Sequence, residues 1–253
     1  MQIALRADQV EAFYHDVFVT SQLEHFQALV SKAGNPIGTV VDVGGGQGYF
    51  AEALQERLDL SVQVLDSDSR SIAACHERGI SAVQGDALRP EISNNPDMVS
   101  FNLILHHLVG SSERETLAMQ SAAVSVWRER AGAVFVNEYI YDSYIPEASG
   151  KLIYWITRSR IFSAIGRWVS AVVPSLRANT FGVGVRFREY AEWVRIFEGL
   201  GYRVAGTVKG PEENVSLARR MLLIRSCRRD SFLLVPEKLR GVAADLPKQG
   251  GSL

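Results

Sequence analysis

Apolar residues near the amino terminus recur at the spacing of a helix. Two successive sets lie three or four positions apart, namely Val10, Phe13 and Val17, and then Leu23, Phe26 and Val30. This period predicts one or two amphipathic helices. The run Gly34-Asn35-Pro36 is a helix stop signal, so the helical segment is expected to end before Pro36.

After Pro36 the pattern changes to short apolar runs separated by helical stretches. Strands are predicted at residues 39–43, 61–65, 82–84, 98–105 and 133–139, and helices at residues 51–58, 71–78 and 113–130. Strands that alternate with helices predict a mostly parallel, doubly wound α/β sheet of the Rossmann-like type, with helices on both faces. Ligands of such sheets bind beyond the carboxyl ends of the strands, so functional residues are expected there.

A mainly helical stretch interrupts this alternation after the fifth strand, over residues 143–187. The sheet pattern then resumes with a helix at 189–200, a strand at 202–208 and a last strand near 220–226. The expected architecture is therefore a seven-stranded sheet with a helical lid insertion after the fifth strand. Residues 248–253 are expected to be disordered.

Composition and charge narrow the class of protein. The 253 residues are 47% hydrophobic and carry a net charge of -1, without an acidic or basic tail, which argues against a nucleic-acid-binding protein. Cys75 and Cys227 are far apart, so two buried thiols are expected instead of a metal site or a disulfide. Arg6 and Asp8 argue against a secretory signal, and no apolar stretch is long enough for a transmembrane helix, so a cytoplasmic location is expected.

The first predicted strand leads into a glycine-rich turn. Residues 42–48, Asp-Val-Gly-Gly-Gly-Gln-Gly, fit the pattern D-x-G-x-G-x-G between a strand and a helix. Gly44, Gly46 and Gly48 permit positive φ and leave space for a ligand to lie against the backbone. This turn alone is ambiguous, because Gly46, Gly48 and Ala51 also fit the dinucleotide pattern G-x-G-x-x-A.

Two aspartates at the following strand ends extend the pattern. Asp66 ends the second strand, where a carboxylate can accept hydrogen bonds from the two hydroxyls of a ribose. Asp86, in Gly85-Asp86-Ala87-Leu88 after the third strand, could accept one from an adenine amino group. Either aspartate alone is also typical of a helix N-cap. The pair, in register with the glycine turn, favours one adenosine held across three strand ends.

This order of motifs resembles that of the class I S-adenosylmethionine-dependent methyltransferases, over residues 39–139 and 188–226. The resemblance implies that S-adenosylmethionine is the cofactor. It implies that the three glycines contact its methionyl part, that Asp66 binds its ribose, and that Asp86 with the Ala87 backbone binds its adenine. The cofactor-binding residues expected in all are Asp42, Gly44, Gly46, Gly48, Asp66, Asp86, Ala87 and Asn102.

Residues 41–46, Val-Asp-Val-Gly-Gly-Gly, look in particular like the first motif of the small-molecule O-methyltransferases of plants and of bacterial natural-product pathways. That likeness implies a role in secondary metabolism. It is incomplete, because Asn102 stands where those enzymes usually have a lysine and His107 stands in place of an aspartate. Their large N-terminal dimerisation domain also has no counterpart in this sequence, and the oligomeric state stays open.

Two histidines follow the fourth strand, at the mouth of the sheet. Methyl transfer is a displacement at a sulfonium carbon, so the protein must align the nucleophile and, for a hydroxyl acceptor, remove its proton. His106 is expected to be this general base, because the pKa of histidine lies near neutral pH. Glu138 resembles the carboxylate that flanks the base in the O-methyltransferase family. Other class I methyltransferases carry Leu-His-His here with a structural histidine, and for His107 a packed or exposed imidazole is expected.

The insertion is basic and amphipathic. An insertion at this point of the fold usually covers the acceptor, so a small-molecule acceptor with an anionic group is expected. A carrier-protein-bound acceptor, or a lipid-like one on a membrane surface, also fits, as does a solvated face without a ligand. The insertion has no acidic residue between positions 151 and 188 and seven basic ones: Lys151, Arg158, Arg160, Arg167, Arg177, Arg186 and Arg188.

The predicted function is methylation of a small, apolar or aromatic acceptor, with O-methylation favoured over C- or N-methylation. A nicotinamide-dependent oxidoreductase is an alternative user of the same glycine turn, although no Tyr-x-x-x-Lys pair follows the fourth strand. A non-catalytic module that binds the nucleoside is a second alternative. Neither alternative requires the histidine that follows the fourth strand.

Five segments are expected along the chain. The first is an N-terminal helical segment, 1–36, and the second is the cofactor-binding half of the Rossmann-like domain, 37–142. The lid insertion occupies 143–187, and a C-terminal helix with the strands that complete the sheet occupies 188–228. Residues 229–253 are expected to form a C-terminal tail.

Overall fold

The computed structural model describes residues 16–159, 161–164 and 184–237 of the chain. The strands are β1 Thr39–Val43, β2 Ser61–Asp66, β3 Ser81–Gln84, β4 Met98–Asn102, β5 Ala133–Ser143, β6 Tyr202–Lys209 and β7 Ile224–Pro236. The helices are α1 Asp16–Val30, α2 Tyr49–Leu58, α3 Ser69–Glu77, α4 Glu113–Ser125, α5 Ala148–Arg158, α6 Tyr190–Gly199 and α7 Leu217–Met221. Short 3-10 helices cover Ser31–Ala33 and Leu105–His107.

The strand order in the sheet is β3-β2-β1-β4-β5-β7-β6. Strands β1 to β5 pair in parallel, and β7 runs antiparallel to both β5 and β6. The prediction of a seven-stranded, mostly parallel, Rossmann-like sheet is confirmed. Because the strand order reverses between β1 and β4, their connections leave on opposite sides, and a crevice opens beyond the carboxyl ends of these two strands.

The central strands are apolar because helices cover the sheet on both faces. In β1 every position after Thr39 is buried, as expected of a parallel strand packed on both sides. One apolar cluster contains Phe26 of α1 and Leu54 of α2, and another contains Trp127 and Trp193 on the side of α4 and α6. The residues at the strand ends are therefore mounted on a packed core.

The fourth strand is shorter than its apolar run predicts. It ends at Asn102 instead of residue 105, Leu103 has a positive φ of 55°, and Leu105–His107 form a 3-10 turn. The side chain of Glu138 accepts a hydrogen bond from Leu105 N at 2.7 Å, which the run of apolar residues could not reveal. The helix predicted at 113–130 is also shorter, because α4 ends at Ser125 and turns follow.

The prediction of a last strand near 220–226 is wrong. Residues Leu217–Met221 form α7, and the last strand covers Ile224–Pro236. Residues 229–236, which were expected in the C-terminal tail, pair with β5 on one side and with β6 on the other. This segment is therefore a part of the sheet.

Charged side chains explain why β7 was not recognised. Arg228 and Asp230 make the segment look solvent-exposed in sequence, yet both are buried. Arg228 Nε lies 3.0 Å from Asp230 Oδ1, and Arg228 also pairs with Asp142 of β5. Charged groups are found in such a position only when they are paired, and pairing across strands is not visible in the sequence.

The insertion after β5 begins with α5. Tyr154 OH donates to Gly110 O at 3.0 Å, and Val185 N donates to Thr157 Oγ1 at 3.1 Å, so α5 is tied to the chain on both sides of it. Most of the remaining insertion, residues 160 and 165–183, lies outside the described residues, as does 248–253, and the lid stays a prediction. Among the helices that are described, none is long and apolar enough to cross a membrane.

Candidate functional site

The glycine turn after β1 has the conformation that its sequence predicts. Gly44, Gly46 and Gly48 have φ values of 69°, 55° and 81°, a region that residues with a side chain rarely adopt. A Cβ atom on Gly44 would also collide with Ile104 Cδ1. Backbone conformation and a close side chain therefore both require glycine at this position.

Asp66 holds this turn from the end of β2. Its Oδ2 accepts a hydrogen bond from Gly46 N at 2.9 Å, and its Oδ1 accepts one from Asp68 N at 2.9 Å. Burial raises the pKa of the Asp66 carboxyl, while the backbone donors oppose that rise. Each carboxylate oxygen can accept a second hydrogen bond, so Asp66 can support the turn and bind hydroxyl groups of a ligand at once.

Asp42 is a buried carboxylate under the same turn. Its Oδ1 accepts hydrogen bonds from Ser100 Oγ at 2.6 Å and from Asn102 Nδ2 at 3.2 Å. No donor in the described part of the chain reaches Asp42 Oδ2 or Asn102 Oδ1, although both atoms are buried. Burial raises the pKa of Asp42 to about 6. Two buried acceptor atoms without a donor fit a ligand that brings one, such as an ammonium group.

Asp86 lies at the surface beyond β3. Its Oδ1 accepts a hydrogen bond from Leu88 N at 2.9 Å, and Arg89 N donates to its main-chain oxygen at 3.0 Å. This is the local side-chain turn that aspartate often forms by itself, and in the described chain no helix begins here, so Asp86 is not the helix N-cap that was the alternative. Ala87 is half-buried and packs against the core. An adenine contact of Asp86 and Ala87 stays a prediction.

The structure brings His106 and Glu138 together just beyond the end of β4, where Glu138 lies in the middle of β5, which continues to Ser143 instead of ending near residue 139. Nδ1 of His106 lies 2.7 Å from Glu138 Oε2, and Glu138 Oε1 accepts from Leu105 N at 2.7 Å and from His106 N at 3.4 Å. Both side chains are buried. Because the carboxylate accepts the hydrogen bond, the ring proton is assigned to Nδ1, which leaves the lone pair on Nε2. A carboxylate-oriented imidazole of this kind can act as a general base.

Aromatic rings surround this imidazole. Phe187 stacks on His106 with a distance of 4.8 Å between the ring centroids, and the ring centroid of His107 lies 4.2 Å from that of His106. Tyr139 contacts His106 edge-on at 6.0 Å. Burial, and then the neighbouring His106, lower the pKa of His107 well below its usual value. His107 is therefore a packed, neutral imidazole at neutral pH.

Two arginines that were expected to face an anionic acceptor are instead buried in ion pairs. Arg186 Nε lies 3.0 Å from Glu113 Oε1, and its Nη2 lies 2.8 Å from Glu192 Oε1. Arg188 Nη1 lies 3.0 Å from the same Glu192 oxygen. The acidic partners stand outside the insertion, so the local excess of positive charge was misleading. Three of the other basic residues lie outside the described residues: Arg160, Arg167 and Arg177.

Three residues of this region were missed by the sequence analysis. Ser100, the donor to Asp42, is a polar residue in an otherwise apolar strand, and that signal could have identified it. Gln120 of α4 donates to Leu105 O at 3.0 Å, but nothing in a helical sequence distinguishes it. Phe187 looks like any apolar residue of the insertion until its ring is seen on His106.

Comparisons with known proteins give partial matches in sequence and matches in fold. A model of the family described as methionine biosynthesis protein MetW matches residues 23–112. Trans-aconitate 2-methyltransferase of Mycobacterium tuberculosis is 25% identical over 189 residues, which is 74% of this chain and 57% of that protein. The chain thus spans little more than half the length of the curated relatives it matches.

Solved structures share the fold at low sequence identity. An S-adenosylmethionine-dependent methyltransferase from Clostridium acetobutylicum matches 90% of this chain and 95% of its own, with a TM-score of 0.56 and 8% identity. Magnesium protoporphyrin IX methyltransferase from Synechocystis, solved with bound S-adenosylhomocysteine, matches 94% of this chain and 90% of its own, with a TM-score of 0.54 and 12% identity.

The antiparallel β7 between β5 and β6 separates this sheet from the all-parallel order of the dinucleotide-binding dehydrogenases. This strand order is the fold that the chain shares with the class I S-adenosylmethionine-dependent methyltransferases. S-adenosylmethionine is the cofactor of this class.

Proposed function

We propose that this protein transfers a methyl group from S-adenosylmethionine to an oxygen atom of a small-molecule acceptor, with His106 as the general base. The observation that carries the proposal is the contact of 2.7 Å between His106 Nδ1 and Glu138 Oε2, just beyond the end of β4. The carboxylate fixes the orientation of the ring and directs the lone pair to Nε2, as a general base requires.

The turn residues are suited to hold the cofactor. Asp66 would accept hydrogen bonds from its ribose, and the buried oxygens of Asp42 and Asn102 would accept hydrogen bonds from its ammonium group. Gly44 and Gly46 would lie against its methionyl chain, and at Gly44 a Cβ atom has no room. When bound, the cofactor supplies an electrophilic methyl group on a sulfonium, with a neutral thioether as the leaving group.

His106 then removes the proton of the acceptor. A hydroxyl acceptor gives its proton to Nε2 of His106 while its oxygen forms the new bond to carbon. The charge that develops on the imidazole is stabilised by Glu138, which already accepts the Nδ1 proton. Phe187 and Tyr139 line this position with aromatic surface, which supports an apolar or aromatic acceptor.

A carboxylate acceptor is the second candidate, because the matched mycobacterial relative is named for trans-aconitate. A carboxylate is already ionised at neutral pH, so its methylation needs no base. The two candidates therefore differ in whether turnover depends on His106. The secondary-metabolism role, a carrier-protein or lipid-like acceptor and a cytoplasmic location stay predictions from the sequence.

Ligand binding is the first test. S-adenosylhomocysteine should raise the melting temperature of the protein, and NADH should not, because only a ligand of the native state shifts it. A shift with NADH and none with S-adenosylhomocysteine would remove the proposal altogether.

Turnover with a labelled methyl donor is the second test, on a panel of phenols, hydroxy acids and dicarboxylic acids. His106→Ala should lower turnover of a hydroxyl acceptor by roughly 10² to 10⁴, the usual contribution of a general base, and leave the affinity for S-adenosylhomocysteine unchanged. His76→Ala, at an exposed histidine, is the matched control. Equal turnover in His106→Ala and His76→Ala would contradict the role of His106.

A further inference from the structure

We infer that Gln120 and Arg188 are positioning residues that align the imidazole of His106, an inference that rests on the proposed function of that histidine. They lie on α4 and on the chain that returns from the insertion, and neither belongs to the glycine turn or to the His106–Glu138 pair. They hold the 3-10 turn that carries His106 on the side opposite to Glu138.

Both polar atoms of the Gln120 amide are hydrogen-bonded. Its Nε2 donates to Leu105 O at 3.0 Å and, more weakly, to Arg186 O at 3.4 Å. Its Oε1 accepts a hydrogen bond from Arg188 Nε at 2.6 Å. Because a flipped amide would lose these contacts, Arg188 determines which end of Gln120 faces the turn. Leu105 is the first residue of that turn, so its carbonyl is fixed immediately before His106.

The returning chain contacts His106 itself. Arg186 N donates to His106 O at 2.9 Å, and the Phe187 ring stacks on the imidazole at 4.8 Å with an interplanar angle of 29°. Glu138 holds the N–H groups of Leu105 and His106, whereas Gln120 and Arg186 hold their carbonyl groups. The main chain of the turn is thus bound from two sides, and the ring plane is set by Phe187 and Glu138.

Stability alone does not account for two buried arginines at this place. Arg186 and Arg188 have almost no exposed surface and are compensated by Glu192 and by the half-exposed Glu113. A buried ion pair often adds little stability over apolar residues of similar volume, and in some proteins its role is the geometry it imposes. Here the ion pairs hold Arg188, Arg188 orients the Gln120 amide, and Gln120 binds the carbonyl group of Leu105 next to His106.

The test uses Gln120→Glu in the full-length protein. The new carboxylate still accepts from Arg188, but when ionised it has no proton to donate to Leu105 O. Tyr202→Phe is the matched control, because Tyr202 OH donates to Val124 O of the same helix α4 and contacts no part of the His106 turn. Arg188→Lys is the second variant should Gln120→Glu fail to fold, since it keeps the charge and loses the Nε donor.

Three readouts are measured for each variant. Gln120→Glu should lower kcat about tenfold, within the range that a general base contributes, with KM and the affinity for S-adenosylhomocysteine unchanged. In a His106→Ala background the same change should have no further effect on kcat, because residues that act through one another are not additive. The His106 imidazole resonance should shift in Gln120→Glu and not in Tyr202→Phe.

An equal loss of kcat with and without His106, or an unshifted imidazole resonance, would overturn the inference. A failure of the proposed function looks different. In that case His106→Ala keeps full turnover, while the imidazole resonance still reports whether Gln120 positions the ring.

Discussion

The two halves of the site differ in how their polar atoms are satisfied. The turn half, residues 42–48 with Asp66 and Asn102, has two buried acceptor atoms that no donor in the described part of the chain reaches, Asp42 Oδ2 and Asn102 Oδ1. The histidine half, His106 with Glu138 and the residues that contact them, has its ring nitrogen Nδ1, its main-chain N–H and its carbonyl all bound within the protein.

From this difference we expect the turn half to bind the cofactor and the histidine half to align His106. Buried polar atoms without a partner cost free energy, so the turn half is stabilised when a ligand supplies donors. In the histidine half, the hydrogen bonds that hold the His106 main chain and its ring Nδ1 are made within the protein, so under the proposed function this half is preorganised before a ligand binds. Changes in the first half should mainly affect cofactor affinity, and changes in the second should mainly affect turnover.

The largest effect is expected from Glu138→Gln. The amide keeps only one acceptor oxygen, so it can accept from the His106 Nδ1 proton or from Leu105 N, but not from both. We expect kcat to fall by roughly 10² to 10⁴ and the free energy of unfolding by about 1–3 kcal/mol, with unchanged affinity for S-adenosylhomocysteine. Steady-state kinetics measures kcat, and calorimetric titration measures the affinity for S-adenosylhomocysteine. A loss of affinity equal to the loss of kcat would contradict the separation of cofactor binding from turnover.

Asp66→Ala should produce the opposite pattern. It removes the acceptor of Gly46 N and the expected partner of the ribose hydroxyls, and two hydrogen bonds to a charged group are worth about 3 kcal/mol or more. The affinity for S-adenosylhomocysteine should fall at least about 100-fold.

Asp97→Ala is the control for Asp66→Ala. Asp97 also accepts from backbone N–H groups, of Gly38 and Thr39, but at the amino end of the sheet. It should lose stability and keep the affinity for S-adenosylhomocysteine. Equal affinities in the Asp66 and Asp97 variants would show that the turn half does not bind this ligand.

Two glycines with positive φ allow backbone strain to be separated from close packing. Gly34→Ala adds a Cβ in open space, so it should lower the free energy of unfolding by only the left-handed penalty of about 1–2 kcal/mol. Gly44→Ala adds the collision with Ile104 and should lose about 1–3 kcal/mol more. Denaturant unfolding measures the free energy of unfolding of both variants. Equal decreases in the two variants would show that the turn has room for a side chain at Gly44.

The smallest effect is expected from pH. Burial raises the pKa of Asp42 to about 6, so below that pH the carboxyl takes up a proton and can no longer pair with an ammonium group. The affinity for S-adenosylhomocysteine should therefore fall by up to about tenfold per pH unit below pH 6. Asp42→Asn should bind more weakly at neutral pH and lack this step, and a step retained in Asp42→Asn would assign it to another group.

The same raised pKa has a consequence for stability. In the native state Asp42 binds its proton at a higher pH than in the unfolded chain, so the native state gains protons first as the pH falls. The contribution of Asp42 to the free energy of unfolding should therefore increase as the pH falls from about 6 towards 4. The difference between the wild type and Asp42→Asn isolates it.

Local patterns predicted most of the fold. Strand β1 at 39–43, the other parallel strands and the helices between them follow from apolar runs and glycine stops, because each element buries a continuous apolar surface. The last strand was misplaced because Arg228 and Asp230 are buried as a pair. The fourth strand was drawn too long because the turn at Leu105 depends on Glu138.

By itself the sequence determined the sheet, the glycine turn and the types of side chain at the strand ends, because hydrophobic period and the backbone freedom of glycine are properties of neighbouring residues. The tertiary structure decided which of these side chains meet. Glu138, Gln120 and Arg186 reach the turn Leu105–His107 from three distant parts of the chain, and Arg188 is neutralised by Glu192 instead of facing an acceptor. Such contacts depend on how the elements pack, and no local pattern of residues carries that information.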